Sequence, residues 1–168
     1  MGPAKIRALT LEQMVETADA GVYGEIVARH AFRVDHPIDG PELYFTLLTL
    51  EGRTLGDRRR ITVDLLYPGG WVSETEGVWN SESPTDEETA VGRRVVAFYK
   101  WVENLGGDVS GNALVAAQGG LFRTVDGPEG SLVLGRGEGY ALARNTALGD
   151  LDRRIEELRA APLPPEER

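Results

Sequence analysis

The sequence predicts a mainly β fold in which a small antiparallel barrel is flanked by a short N-terminal helix and a C-terminal helix. Segments rich in β-branched and aromatic residues recur along the chain and are separated by turn signals. Glycine accounts for 21 of the 168 residues, above the usual share of roughly 7%, and a meandering antiparallel sheet needs many tight turns. Helical periodicity is found only near the two ends of the chain.

The first helix is predicted over residues 9–19. Thr10 can serve as its N-cap, and Gln13 lies where a reciprocal capping box requires it. The second helix is predicted over residues 146–161, before the prolines that would end it. Each helix has one apolar stripe, and such stripes are stabilised by packing. We therefore expect four of the stripe residues to be buried: Met14, Val15, Ile155 and Leu158.

Seven strands are predicted between the helices. The four longest should form one strongly bent, mainly antiparallel sheet, and they cover residues 22–34, 42–51, 60–67 and 94–102. Three shorter strands are expected at residues 114–118, 121–125 and 131–135. This order of helices and strands is typical of an OB-like barrel. We expect residues 1–161 to form a single domain, and residues 162–168 to form a flexible tail rich in proline and glutamate.

Residues 71–89, called the acidic excursion below, interrupt the pattern of strands. They contain six acidic residues, two tryptophans and no basic residue, with one helical turn expected after Pro84. Loops of this length without regular structure are uncommon and are often functional. Because the acids repel one another, the excursion should be anchored by Trp71, Val78 and Trp79, or neutralised by a cation or a basic protein surface. A solvated charge run, a partner-binding loop and a calcium site are the three interpretations.

The candidate partner-binding residues are Trp71, Trp79, Asp86, Glu87 and Glu88. For the two tryptophans, the favoured interpretation is a lid packed over one end of the barrel. The alternative is that they are exposed and anchor a partner or stack on a sugar.

The sequence contains no recognisable catalytic centre. Without cysteine there is no thiolate nucleophile, no disulfide and no zinc–thiolate site. Neither His30 nor His36 has a Gly-x-Ser-x-Gly elbow to act on, and a surface or turn role is favoured for both over a metal site at His36. The glycine-rich residues 135–139 do not sit between a first strand and a helix, so they predict a turn and not a phosphate loop. We expect a protein that is not an enzyme, with no cofactor and no metal.

Charge and hydropathy limit the classes of partner. The net charge of −9 argues against nucleic acid, and the basic run at residues 58–60 is interpreted as a solvated turn. No run approaches the roughly 18 apolar residues of a membrane-spanning helix. The first nine residues lack the apolar region of a signal peptide, so the chain as given fits the cytoplasm, or an extracytoplasmic space if a signal peptide has been removed.

Several short motifs resemble a group of uncharacterised bacterial envelope proteins. In that group a short helix ending in alanine-aspartate leads into a strand, as in residues 9–27 here. Three further matches are the proline-glycine-glycine strand ending, the valine-glycine-x-x-valine strand and the closing hairpin, at residues 67–70, 91–98 and 117–125. These proteins are similar to netrin-like, metalloprotease-inhibitor-type OB domains, so the resemblance implies an OB-type barrel. Those inhibitors chelate zinc through an N-terminal cysteine, which this chain lacks, so their mechanism does not carry over.

The function expected from the sequence is a non-catalytic protein-binding or assembly module that presents loops from a β-barrel. Its partner would be another protein, with a basic surface facing the acidic excursion. The alternative is a carbohydrate- or small-ligand-binding domain that uses Trp71, Trp79, Trp101 and Tyr67.

Overall fold

The structure, a computed structural model, describes residues 9–79, 83–128 and 130–160. It is mainly β, with a closed five-stranded barrel and one helix near each end, as the sequence predicts. In chain order the elements are α1 (Leu11–Thr17), β1 (Ala20–His36), β2 (Gly40–Thr54), β3 (Arg60–Pro68), β4 (Gly70–Trp71), β5 (Gly77–Val78), β6 (Arg94–Val102), β7 (Gly111–Leu114), a 3₁₀ turn (Ala117–Gly120), β8 (Leu121–Gly127), β9 (Gly130–Val133), β10 (Thr146–Ala147) and α2 (Leu148–Ala160). Among the described residues, neither helix is long and apolar enough to cross a bilayer.

The barrel has the strand order β1-β2-β3-β7-β6 and is closed by antiparallel pairing of β6 with β1. Val22 lies opposite Ala97 at this closure. One pair departs from the antiparallel expectation, because β3 and β7 run parallel, with Leu65 opposite Asn112. Closure removes the free edges that an open five-stranded sheet would expose. This arrangement is an OB-type barrel.

Two hydrophobic cores lie on the two faces of β6. Because side chains alternate along a strand, Val95, Ala97 and Tyr99 point into the barrel, whereas Val96 and Phe98 point outward. The outward pair packs against both helices and the β8–β9 hairpin. Burying each of these large apolar side chains contributes roughly 1.5–3 kcal/mol. β6 therefore joins the barrel to its helical cover.

The helices confirm the capping prediction and half of the burial prediction. Thr10 and Gln13 form the reciprocal capping box at the start of α1. Met14 and Ile155 are buried, but Val15 and Leu158 are only partly buried, because each lies at the edge of its stripe. The C-terminal helix begins two residues later than predicted, since Thr146–Ala147 pair with β9 as β10.

A buried carboxylate fixes α2 to the barrel. Asp152 is fully buried and accepts two hydrogen bonds from the guanidinium of Arg53, at 3.0 and 2.8 Å. It also accepts the backbone N–H of Gly56 at 2.9 Å. The helix periodicity places Asp152 beside the apolar stripe, but its partners lie about a hundred residues earlier and are not visible in the sequence.

β1 and β2 extend beyond the barrel as a hairpin arm, formed by residues 28–36 and 40–47. A β-bulge between Ile26 and Ala28 resets the register where the arm begins. One arm face continues the barrel interior through buried Thr46, and the other carries Phe32 stacked on Phe45, with ring centroids 5.8 Å apart. The arm therefore has two faces: Gly70 packs against Thr46 on one face, and Gly107 packs against Val34 and Leu43 on the other.

The predicted strand at residues 114–118 is wrong. β7 ends at Leu114, and Ala116 adopts a left-handed backbone with φ 55° before the 3₁₀ turn. A Cβ at Gly120 would lie 2.0 Å from the carbonyl oxygen of Val115, so the chain folds back tightly here. Apolar residues in a tight turn gave the appearance of a strand. The other predicted strands are present with longer or shifted ends, and residues 94–102 match β6 at both ends. The tail at residues 162–168 lies outside the described residues.

Candidate functional site

The acidic excursion leaves the barrel after β3 and lies on one face of the arm. Its first part is a small ribbon in which Trp71 pairs with Gly77. Glycine is required at two points of close contact. A Cβ at Gly70, where φ is 129°, would lie 2.2 Å from Thr46 Oγ1, and a Cβ at Gly77 would lie 2.5 Å from the Cα of Trp71. The ribbon therefore packs directly on the arm.

The last part of the excursion contains the expected single helical turn. The Thr85 backbone N–H and hydroxyl both donate to Glu88 Oε1 at 3.1 Å, and the Glu88 backbone N–H donates to Thr85 Oγ1 at 3.2 Å. Ser83 donates to the carbonyl of Pro68 at 2.6 Å, and the hydroxyl of Tyr67 donates to Thr89 at 3.3 Å. These hydrogen bonds fix the turn to the end of β3.

Arginines of the same chain pair with four of the six acids of the excursion. The pairs are Arg29 with Asp86, Arg33 with Glu76 (2.9 Å), Arg93 with Glu87 (3.5 Å) and Arg136 with Glu88 (2.6 Å). The expectation that the acids need an outside cation, or apolar anchoring by Trp71, Val78 and Trp79, is therefore wrong. All three apolar residues are exposed. The excursion is held by ion pairs and hydrogen bonds, and this leaves its apolar side chains available.

Glu88 is part of the internal framework of the excursion. Burial alone would raise the pKa of this carboxyl, but hydrogen bonds from Arg136 and from Thr85 outweigh burial and lower its pKa below the ordinary value. Glu88 is itself buried. Of the five predicted partner-binding residues, it is the one that does not line the surface pocket described next.

The other four predicted residues meet in one pocket of about 350 Å³. Trp79 is 77% exposed and Trp71 is 48% exposed, so the lid interpretation is wrong. The lining consists of excursion residues and residues of the arm and barrel, among them Trp71, Val78, Trp79, Asp86, Glu87, Arg29, Thr46 and Tyr67.

The four aromatics of the carbohydrate alternative are not equally available. Tyr67 is almost completely buried, although it is among the residues that line the pocket. Trp101 lies on β6, where its indole N–H donates to Glu103 at 3.2 Å, and it does not line this pocket. Trp71 and Trp79 are the exposed aromatics that share one surface.

Sequence reasoning missed Arg29 and Arg33. Both lie on β1, four residues apart, and therefore on the same face of the strand. That spacing, combined with an excursion rich in acids and free of bases, is a signal that could have predicted the pairing. The partner acids follow 43 to 57 residues later, so the pairing needs the fold to bring them together.

The two histidines have structural surroundings. His36 Nδ1 accepts the backbone N–H groups of Ile38 and Asp39, so Nε2 carries the proton and donates to Asp108 at 2.8 Å. His30 stacks on Phe32, with ring centroids 6.2 Å apart. Within the described ranges, no group of three histidine, aspartate or glutamate side chains is arranged to hold a metal ion.

Comparison with protein-family models, with curated proteins and with solved structures finds no significant match to this chain. The class is therefore defined by the fold and its surface. The chain is a closed five-stranded barrel with an extended arm, on which an acidic, tryptophan-bearing excursion forms a pocket.

Proposed function

We propose that this protein is a non-catalytic binding module whose excursion pocket takes a basic, partly apolar segment of another protein. The observation that carries the proposal is the convergence of Trp71, Trp79, Asp86 and Glu87 on one pocket. Two of these side chains offer aromatic surface and two offer negative charge. A segment with alternating apolar and basic side chains complements both.

The tryptophans supply the apolar part of the site. An indole buries 150–250 Å² or so when it is covered, and tryptophan is enriched among residues that dominate binding energy. Val78 is exposed beside them, which makes the apolar surface continuous. Since the excursion is held by polar contacts, covering these side chains does not require the fold to rearrange.

The carboxylates supply the charge. Asp86 and Glu87 are largely exposed, and their arginine partners lie at the surface. Exposed ion pairs contribute only about 0–1 kcal/mol, so these carboxylates can also accept from a partner's cation while they keep their arginine partners. A guanidinium or ammonium placed over an indole face is also attracted to the ring. An arginine or lysine of the partner therefore fits between the indoles and the carboxylates.

Three hydroxyls that line the pocket have acceptors within the chain. Thr46 donates to the carbonyl of Gly69 at 2.8 Å, and Ser83 donates to that of Pro68 at 2.6 Å, so both protons are engaged by backbone acceptors. A nucleophilic hydroxyl would need to donate to a general base. The Thr85 hydroxyl does donate to a carboxylate, that of Glu88, but this carboxylate also accepts from Arg136, which makes it a weak base.

A peptide titration tests this proposal. The probe is a synthetic peptide of alternating leucine and arginine, and its control peptide has glutamine in place of arginine. In a Trp101→Phe background, the remaining fluorescence reports on Trp71 and Trp79. We expect saturable binding of the arginine peptide that weakens as salt rises, because exposed charges are screened over about 8–10 Å.

The matched variants remove the same charge at two different places. Asp86→Asn with Glu87→Gln should weaken binding about tenfold, as loss of charge-assisted contacts does. Glu16→Gln with Glu157→Gln, on the exposed faces of the helices, should leave it unchanged. Equal affinity for the two double variants would overturn the proposal. Binding of a neutral oligosaccharide such as cellohexaose, with no binding of the peptide, would do so in favour of the carbohydrate alternative.

A further inference from the structure

A second and larger cavity, of about 760 Å³, lies on the outer surface of the barrel where β1, β2 and β3 bend. Its floor contains Gly24 and Gly52. A Cβ at Gly52 would lie 1.9 Å from the carbonyl oxygen of Tyr23, and a Cβ at Gly24 would lie 2.9 Å from that of Glu51. The two strands approach so closely that a side chain at either position would collide with the backbone of the neighbouring strand.

Four arginines line this groove in a chain whose net charge is −9: Arg53, Arg58, Arg60 and Arg94. Arg53 is engaged by Asp152, as described above. Arg58 Nε is 3.5 Å from the same carboxylate, which already accepts three hydrogen bonds from Arg53 and Gly56. The Arg58 guanidinium is more than half exposed and therefore retains donors for another group.

The backbone at Arg58 adopts a left-handed conformation, with φ 55°. For a residue with a long side chain this conformation is uncommon and costs of order 1 kcal/mol or more. The turn would accept glycine there without strain. The strained backbone instead places a guanidinium at the rim of the groove.

The remaining two arginines are Arg60 and Arg94. Arg60 has no acidic partner among the described residues. Arg94 is hydrogen-bonded to the side chain of Tyr23, and it lies 3.9 Å from the carboxylate of Glu25, at the limit of an ion pair. Arginine presents a planar set of donors that matches carboxylate and phosphate oxygens. The groove thus offers guanidinium groups with unused donors.

Two glutamates, Glu25 and Glu51, also line the groove. They would repel a polyanion such as nucleic acid, and the overall charge of the chain would do the same. They can, however, accept hydrogen bonds from hydroxyl groups. The lining therefore suits a ligand that carries both an anionic group and hydroxyls. The cavity volume lies within the range of roughly 300–1,000 Å³ found for small-molecule sites.

We infer that this groove binds a small hydroxylated organic anion, with Arg58 and Arg60 holding its oxyanion and the two glutamates accepting from its hydroxyls. The anionic group is a phosphate or a carboxylate, two chemistries that share the same recognition by guanidinium. The groove shares no lining residue with the excursion pocket, so this inference does not depend on the proposed partner binding.

The test titrates the protein with ribose 5-phosphate and with citrate in separate calorimetric experiments. A titration with potassium chloride at the same concentration of anionic charge is the control. We expect saturable binding of at least one probe. Preference for ribose 5-phosphate identifies a phosphate site, and preference for citrate identifies a carboxylate site. Absence of saturable binding for both would overturn the inference.

The arginine run itself supplies a matched control. Arg60→Gln and Arg58→Gln should each weaken binding about tenfold, the usual effect of losing a hydrogen bond to a charged group. Arg59→Gln removes the same charge one residue away, but Arg59 pairs with Asp57 and does not line the groove. It should bind as the unmodified protein does. Equal weakening in all three variants would show a general charge effect and contradict the assignment, and thermal melting establishes that each variant is folded.

Discussion

Replacing Asp152 by asparagine should weaken the attachment of α2 to the barrel. The asparagine side chain has nearly the same shape but lacks the negative charge that pairs with Arg53. Removing one partner of a buried ion pair costs about 3–5 kcal/mol. The side chain of Arg53 is 28% exposed, so water recovers part of this cost. Asparagine can still accept the N–H of Gly56. We therefore expect Asp152→Asn to lower the free energy of unfolding by about 2–3 kcal/mol.

Urea denaturation measures this loss. With a slope of about 2 kcal/mol per molar urea, the midpoint should fall by about 1–1.5 M. Asp152→Ala should be worse by a further 1 kcal/mol or so, because the buried N–H of Gly56 then has no acceptor. Asp150→Asn is the control on the same helix. Its carboxylate is exposed and pairs with Arg153, so the loss should be under about 1 kcal/mol. Equal midpoints for Asp152→Asn and Asp150→Asn would refute the role given to the buried carboxylate.

Three further predictions concern stability. In urea denaturation, Ile155→Ala should lower the free energy of unfolding by about 2–5 kcal/mol and Leu158→Ala by only about 1 kcal/mol. The reason is that Ile155 is fully buried and Leu158 is only partly buried. A larger loss for Leu158→Ala than for Ile155→Ala would contradict the packing described. Gly52→Ala should lower the free energy of unfolding by at least about 3 kcal/mol, because the added Cβ collides with backbone atoms of β1. Gly149→Ala adds a Cβ that contacts no other atom, so it should stabilise α2 by about 0.5–1 kcal/mol in the same assay. The pKa of Glu88 is lowered in the folded state, so its contribution is present above the ordinary glutamate value of 4.5 and is lost as pH falls through the folded-state pKa. Glu88→Gln should therefore flatten the acid side of the stability profile measured by thermal melting, and an unchanged slope would exclude this contribution.

The sequence predicts those parts of the fold that local signals determine. The capping box at Thr10 and Gln13 and the alternation in β6 are local patterns, and both are present in the structure. The parallel pairing of Leu65 with Asn112 depends on contacts between distant segments, which no local pattern specifies. The apolar residues near Ala116 predict a strand, but the chain forms a tight turn there, because Ala116 adopts a left-handed backbone conformation that the sequence does not reveal.

The candidate site was predictable to a similar extent. An unusual composition pointed to Trp71, Trp79, Asp86 and Glu87, which the fold brings to one pocket. It gave no information about which carboxylates are neutralised internally, because the arginines lie on other elements. The groove was missed for the same reason. The run of three arginines is typical of a solvated turn, and only the fold brings residues of β1, β2, β3 and β6 beside Arg58 and Arg60.

Calorimetric titration of the leucine–arginine peptide against single tryptophan variants tests the central claim most directly. Trp79→Ala removes an aromatic side chain from the pocket, whereas Trp101→Ala removes an exposed one that lies outside it. Truncating an aromatic residue that dominates binding typically costs 2 kcal/mol or more, which is a loss of about thirtyfold in affinity. The predicted result is such a loss for Trp79→Ala and unchanged affinity for Trp101→Ala. Equal affinities for the two variants would contradict the claim that the excursion pocket is the binding site.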